Sequence, residues 1–288
     1  MDNEEGKMES KNRNVWIIVA AVVALGCCCA LAAFAGAMAM LELSVPDLNL
    51  GSLQRERIEE TFNVGEAPFL DITNFAGDVT IRPGQDSTIY VVATKRSMGR
   101  GNLDRIRVDM TKRGDSVVIS TRTLNRTGSN SVELEISAPP GTRVELDSGA
   151  GNVDIRGLSG PIEVDNGAGN ISIRDVDGQI DANSGAGTFD VRNVSGQVRL
   201  GLGAGEITYE GNPTGDCRFH TGAGNISLRV PDDLNMKVDL GAGLGRVDVD
   251  FAVAGTVKPR EVEGTIGDGS QGTIRAQSGA GNVSLRRQ

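Results

Sequence analysis

The chain has 288 residues, enough for one large domain or two modest ones, and aromatics at 3% with 39 glycines suit a turn-rich architecture and argue against a core built on large rings. A formal net charge of −9 and a pI near 4.8 remove the general electrostatic attraction that nucleic-acid binding needs, so that class is set aside. Cys27, Cys28 and Cys29 are consecutive in an apolar run, Cys217 stands alone and His220 is the one histidine, which excludes a disulfide framework and a metal-ligand spacing.

A short tail, residues 1–14, comes first. From Val15 to Leu41 no residue is charged. About 20 apolar residues suffice for a helix to cross the hydrocarbon core, so an uncleaved transmembrane helix is predicted over 15–41. Lys7, Lys11 and Arg13 precede the run, whereas Glu42 and Asp47 come first after it, and the basic side stays cytoplasmic. The expected location is the cell membrane, single-pass, with the C-terminal domain extracellular. Two other readings use the same run. Cleavage after Ala37-Met38-Ala39 would need a shorter apolar region, and a lipoprotein box at Val23–Cys27 would need a polar tether after the cysteine. The cysteine triplet reads as small residues in a lipid-facing helix, with acylation as the alternative.

Residues 42–57 read as a linker, and residues 58–146 as the first strands of a β domain. Phe69–Ile72, Gly77–Ile81, Ile89–Val92, Ser116–Ile119 and Val132–Ile136 alternate apolar and polar residues, the pattern of a strand with one buried face. These strands are expected to cover one end of the repetitive region that begins after residue 146. Pro139-Pro140-Gly141 marks a break.

Over 147–288 an internal repeat takes over. Gly-Ala-Gly begins at Gly149, Gly167, Gly185, Gly203, Gly222, Gly241 and Gly279, in steps of 18, 18, 18, 19, 19 and 38. Each unit holds two segments of the form glycine, any residue, apolar, polar, apolar, such as Gly151–Ile155 and Gly160–Val164. The fold class predicted is all-β: a parallel β-solenoid (β-helix) with about 18 residues per coil. Val153, Ile171, Phe189 and Ile207 should stack inward, and Cys217 should be buried beside Phe219. An irregular insertion is expected near 250–271, and the charged end at Arg286-Arg287 is expected to blunt the far edge. The calcium-binding nonapeptide repeat is rejected, because the position that needs a recurring Asp reads Asp154, Ser172, Asp190, Thr208 and Ser227.

Gly77-Asp78-Val79-Thr80-Ile81-Arg82-Pro83-Gly84, the Pro-Pro-Gly turn and the Gly-Ala-Gly-Asn repeats together resemble the bacterial putative-adhesin family with β-strand repeats, domains of unknown function of the DUF4097 type. The resemblance covers about residues 58–288. It implies a bacterial cell-surface protein with an adhesive role, and it supplies no catalytic residues.

Stacking the coils turns outward positions into columns. Arg156, Arg174 and Arg192 form one, interrupted by Glu210 and resumed by Arg229 and Arg286. Glu163 and Asp181 give way to Arg199, Arg218 and Lys237 in another. The arginines either pair with the acidic column beside them, or form a ladder that binds an acidic polymer or glycan. Arg156, Arg174 and Arg192 are the candidate ligand-binding residues. Glu163 and Asp181 could be neighbouring acids, but His220 is expected in a turn before Gly222 and no nucleophile–histidine set is available. Five Asn-x-Ser/Thr sites, from Asn125 to Asn282, arise mostly from the repeat. The function expected is a membrane-anchored binding module, without enzymatic activity, cofactor or metal. An envelope scaffold or stress-signalling component is the second reading, and a polysaccharide-processing enzyme the third.

Overall fold

Strand succeeds strand along the described chain, and one 3-10 turn, Leu103–Arg105, interrupts them. The computed structural model describes residues 53–85, 87–98, 103–124 and 129–288. The expected tail 1–14, the membrane helix 15–41 with its cysteines, most of the linker 42–57, and Asn125 lie outside the described residues. Among the described residues no helix is long and apolar enough to cross a membrane.

In chain order the strands are β1 (Leu53–Asn63), β2 (Phe69–Asn74), β3 (Val79–Pro83), β4 (Thr88–Met98), β5 (Ile106–Arg113), β6 (Ser116–Thr123) and β7 (Asn130–Ala138). The repeats supply β8 (Arg143–Ser148), β9 (Val153–Arg156), β10 (Ile162–Ala168), β11 (Ile171–Asp177), β12 (Ile180–Gly196), β13 (Val198–Pro213), β14 (Gly215–Ala223) and β15 (Ile226–Val230). The chain ends with β16 (Lys237–Leu244), β17 (Val247–Val249), β18 (Ala254–Lys258), β19 (Glu261–Thr265), β20 (Gly272–Ala280) and β21 (Val283–Arg287).

Each coil contributes one rung to each of two faces. Face A runs β5, β6, β2, β8, β10, β12, β13, β14, β20, β16, β19, β18. Face B runs β1, β4, β7, β3, β9, β11, β12, β13, β15, β21, β17, where the long β12 and β13 pass through both faces. The central rungs are parallel, and hairpins at both ends are antiparallel. The solenoid expectation holds in register: Ile171 stacks between Val153 and Phe189, and Phe189 stacks on Ile207. All four are buried, as are Cys217 and Phe219.

The corner from face A to face B is the Gly-Ala-Gly motif, and packing dictates its glycines. A Cβ on Gly185 would lie 2.5 Å from the carbonyl oxygen of Gly167 in the rung beneath. Gly205 has a φ of 135° and its Cβ would meet the Gly187 oxygen at 1.8 Å, so neither the space nor the backbone admits a side chain. Beneath the corner, inward polar side chains satisfy its carbonyls. Asn166 Nδ2 donates to Gly151 O at 3.2 Å, Thr221 Oγ1 to Gly205 O at 3.3 Å and Ser278 Oγ to Gly224 O at 2.7 Å. Just past the corner, asparagines tie rungs together: Asn152 Oδ1 accepts from Asn170 N at 3.1 Å, and Asn225 Oδ1 from Asn282 N at 2.9 Å.

The order of coils differs from the order of the sequence at both ends. The coil of β20 and β21 lies between that of β14 and β15 and that of β16 and β17. The chain terminus therefore does not form the far edge, contrary to expectation. That edge consists of the exposed β18 and the three-residue β17. The six-residue connection 231–236, with Leu234 and Met236 buried, is long enough to step across two rungs, since six extended residues reach about 20 Å. At the other end β2 and β3 lie between the β8–β9 coil and the β6–β7 coil. The antiparallel β4, β1 and β5 cover that end. The irregular segment near 250–271 contains the β18–β19 hairpin, antiparallel to β16.

Two outcomes test this architecture. Ile171→Asp puts an uncompensated charge where the wild-type side chain is 1% exposed, and should cost about 3–5 kcal/mol by chemical denaturation. A chain ended at Gln271 lacks β20 and β21, so limited proteolysis should cleave 231–271 while 143–230 resists; protection of 231–271 would contradict the strand order.

Candidate functional site

The three arginines predicted from the repeat do come together. Arg174 lies in register between Arg156 and Arg192 on the outer side of face B, and Glu210, Arg229 and Arg286 continue the column. Sequence reasoning missed a fourth member, Arg82, at the next register position of β3. Its signal was present, because Gly77–Arg82 repeats the spacing of Gly151–Arg156.

Carboxylates are interleaved with this column. Arg156 donates two hydrogen bonds of 2.8 Å to Asp154, which also faces Arg82 at 3.6 Å. Asp190 accepts from Arg192 and from Arg174, each at 2.6 Å. The guanidinium-bearing side chains of Arg156, Arg174 and Arg192 remain 37%, 37% and 54% exposed, while Arg174 Nε is buried without a hydrogen-bond partner. Burial pushes the Asp190 carboxyl upward, but hydrogen bonds from Arg192 and Arg174 outweigh it and the net shift is downward. Hydrogen bonding to their aspartates raises Arg156 and Arg192 further.

A second feature runs along the A-to-B corner. Because the first residue of each corner is a glycine, an open groove of about 780 Å³ runs along it. Gly149, Gly167 and Gly185 form its floor, Asp147, Asp165 and Asn183 its wall, and Phe75 one end. Asn183 Nδ2 donates to Asp165 Oδ1 at 3.1 Å. Beneath the wall, Ser148 Oγ and Asn166 Oδ1 are buried without a hydrogen-bond partner. His220 also lines the groove, exposed on strand β14 between Gly201 and Gln277, and not in the turn expected for it.

Residues 144–286 match the family model described as Toastrack DUF4097. The chain carries a Toastrack domain. Solved structures similar to it include a putative cell adhesion protein from Clostridium sporogenes ATCC 15579, at 12% identity, 81% coverage of this chain, 100% of that one and a TM-score of 0.37. A putative adhesin from Bacteroides fragilis NCTC 9343 has 12% identity, covers 81% and 97% respectively, and gives a TM-score of 0.41. No curated protein matches significantly.

Within the Toastrack domain the remaining reactive groups are dispersed. Glu163 and Asp181 are rung neighbours, but Arg143 lies 4.0 Å from the first and Arg199 3.8 Å from the second. Burial pushes the Cys217 thiol up, away from the thiolate form. Among the described residues no group of three His, Cys, Asp or Glu side chains is placed to hold a metal ion.

The depressed Asp190 pKa sets a sign. Stability it contributes is present above its unfolded value and is lost as pH falls through its folded value. Asp190→Asn should therefore be less stable than wild type at neutral pH, the gap closing as pH drops below about 3.9. Urea unfolding across the acid range measures this, and a gap independent of pH would contradict it.

Proposed function

We propose that this Toastrack protein is a cell-surface binding module without catalytic activity, held at the cell membrane by residues 15–41 with the β domain outside. The tail 1–14 and the linker 42–57 complete that arrangement. Its ligand is an acidic polymer or glycan lying along the stacking axis of face B. One observation supports this most directly: Arg82, Arg156, Arg174 and Arg192 stand against Asp154 and Asp190. Asp154 and Asp190 are shared among the four guanidinium groups, and Asp175 and Glu210 flank the patch. Planar guanidinium groups match the forks of carboxylate and phosphate, and rungs about 4.8 Å apart present them at a regular interval. Glu210 ends the patch, so the first four rungs carry the contact.

The corner groove supports a second reading. Its floor exposes backbone instead of side chains, and Asp147, Asp165 and Asn183 offer polar groups on successive rungs. That arrangement suits a neutral, hydroxyl-rich chain.

A glycan array separates the two. Arg156→Ser/Arg174→Ser/Arg192→Ser should lose salt-sensitive binding to acidic glycans and stay folded, since exposed ion pairs contribute about 0–1 kcal/mol each. Asp147→Ala/Asp165→Ala should leave that binding intact; the reverse dependence would favour the groove. Polymer turnover that stops on changing Glu163 or Asp181 would sink the non-catalytic reading.

A further inference from the structure

The two faces handle charge in opposite ways. On face B, cations and carboxylates are interleaved at 2.6–2.8 Å within the Arg156–Arg192 column. On face A they are segregated. The central outward column begins Asp71, Glu145, Glu163, Asp181 and continues Arg199, Arg218, Arg275, before Asp239 on the last parallel rung. Arg275 takes the place expected for Lys237, which lies at the strand start opposite Thr273. The next outward column repeats the asymmetry, with Asp147 and Asp165 on the acidic half and His220 on the other. Like charges on adjacent strands repel, and face B shows that the same scaffold can interleave them. Internal neutralisation on face A is weak: the pairs Arg143–Glu163, Arg199–Asp181 and Arg275–Asp239 lie at 4.0, 3.8 and 3.7 Å.

We infer that face A is a self-association surface whose partner is a second copy of this chain, turned about a two-fold axis along the strands between β12 and β13. That operation reverses the rung order. Asp181 then faces Arg199 of the second copy, Glu163 faces Arg218, and Glu145 faces Arg275, each pair occurring twice, as a two-fold interface requires. In the neighbouring column Asp165 faces His220. Arg143, which flanks the acidic half, falls one rung from Asp216, which flanks the basic half. Asp71 faces Asp239 at the rim, the one like-charged pairing in the central column. Six rungs about 4.8 Å apart, each six residues long at about 3.3 Å per residue, present about 570 Å² per copy. That is below the standard interface of about 800 Å² per partner, so the dimer is weak, salt-sensitive and specified by charge. It does not depend on the nature of the polymer proposed for face B.

The test uses the full chain in detergent micelles, followed by sedimentation velocity. Wild type should be dimeric at about 50 mM salt and monomeric at about 500 mM, where screening acts within about 4 Å. Arg199→Glu/Arg218→Glu/Arg275→Glu makes the column acidic throughout, and Glu145→Lys/Glu163→Lys/Asp181→Lys makes its two halves basic. Each variant alone should dimerise at least about tenfold more weakly, and an equimolar mixture should recover a dimer containing one of each. Recovery shows that both variants are folded. A monomeric wild type at low salt would overturn the inference. So would a dimer unaffected by salt or by either variant, as expected if residues 15–41 held it. If a variant fails to fold, the salt dependence of wild type still decides.

Discussion

Parallel backbone hydrogen bonding fixes the distance between rungs at about 4.8 Å, and little else in this molecule is free to vary once that spacing is set. Coils this close leave no room for a Cβ where the chain turns from face A to face B, hence the glycines whose added methyl groups would strike the carbonyl beneath. They also leave a core only two side chains deep, which explains the dominance of Val, Ile and Leu and the rarity of rings. Tyr209 and Phe219 are exceptions, packed at 5.2 Å between centroids.

The same spacing makes every outward substitution a matter of columns. A charge has the same two neighbours above and below whatever its distance in sequence, so the chain must choose between interleaving signs and separating them. Face B interleaves: Asp190 serves Arg174 from the rung beneath and Arg192 two residues along its own strand. Face A separates. The arginine column of face B and the charged column of face A therefore use different residues on different sides of one scaffold.

How much of this was legible in the sequence depended on whether the signal was local. Inward stacking of Val153, Ile171, Phe189 and Ile207, burial of Cys217, and the column of Arg156, Arg174 and Arg192 all derive from a period that can be counted. The order of the last coils does not. The steps of 19 from Gly222 to Gly241 and of 38 from Gly241 to Gly279 misled on phase as well as adjacency, because Gly241 pairs with Gln277 and the corner of that coil is Gly243-Leu244-Gly245. The clue was the longer connection after Val230. His220 was misplaced for a related reason: proximity to Gly222 suggested a turn, whereas the strand runs unbroken through Ala223. The groove was invisible because it is made of absent side chains on separate coils.

The interior position of the last coil has a consequence for how the molecule is made. A simple solenoid can add one rung at a time as the chain emerges, each new coil docking on the one before. Here the coil of β16 and β17 is synthesised before the strands it must lie against, β20 and β21. Residues 237–265 must wait, with apolar groups such as Val238, Leu240 and Val262 not yet covered, until β20 and β21 have left the ribosome. Assembly of this end is thus tied to the synthesis of β20 and β21, and the interval before they emerge is when the protein is most exposed to misassembly or proteolysis.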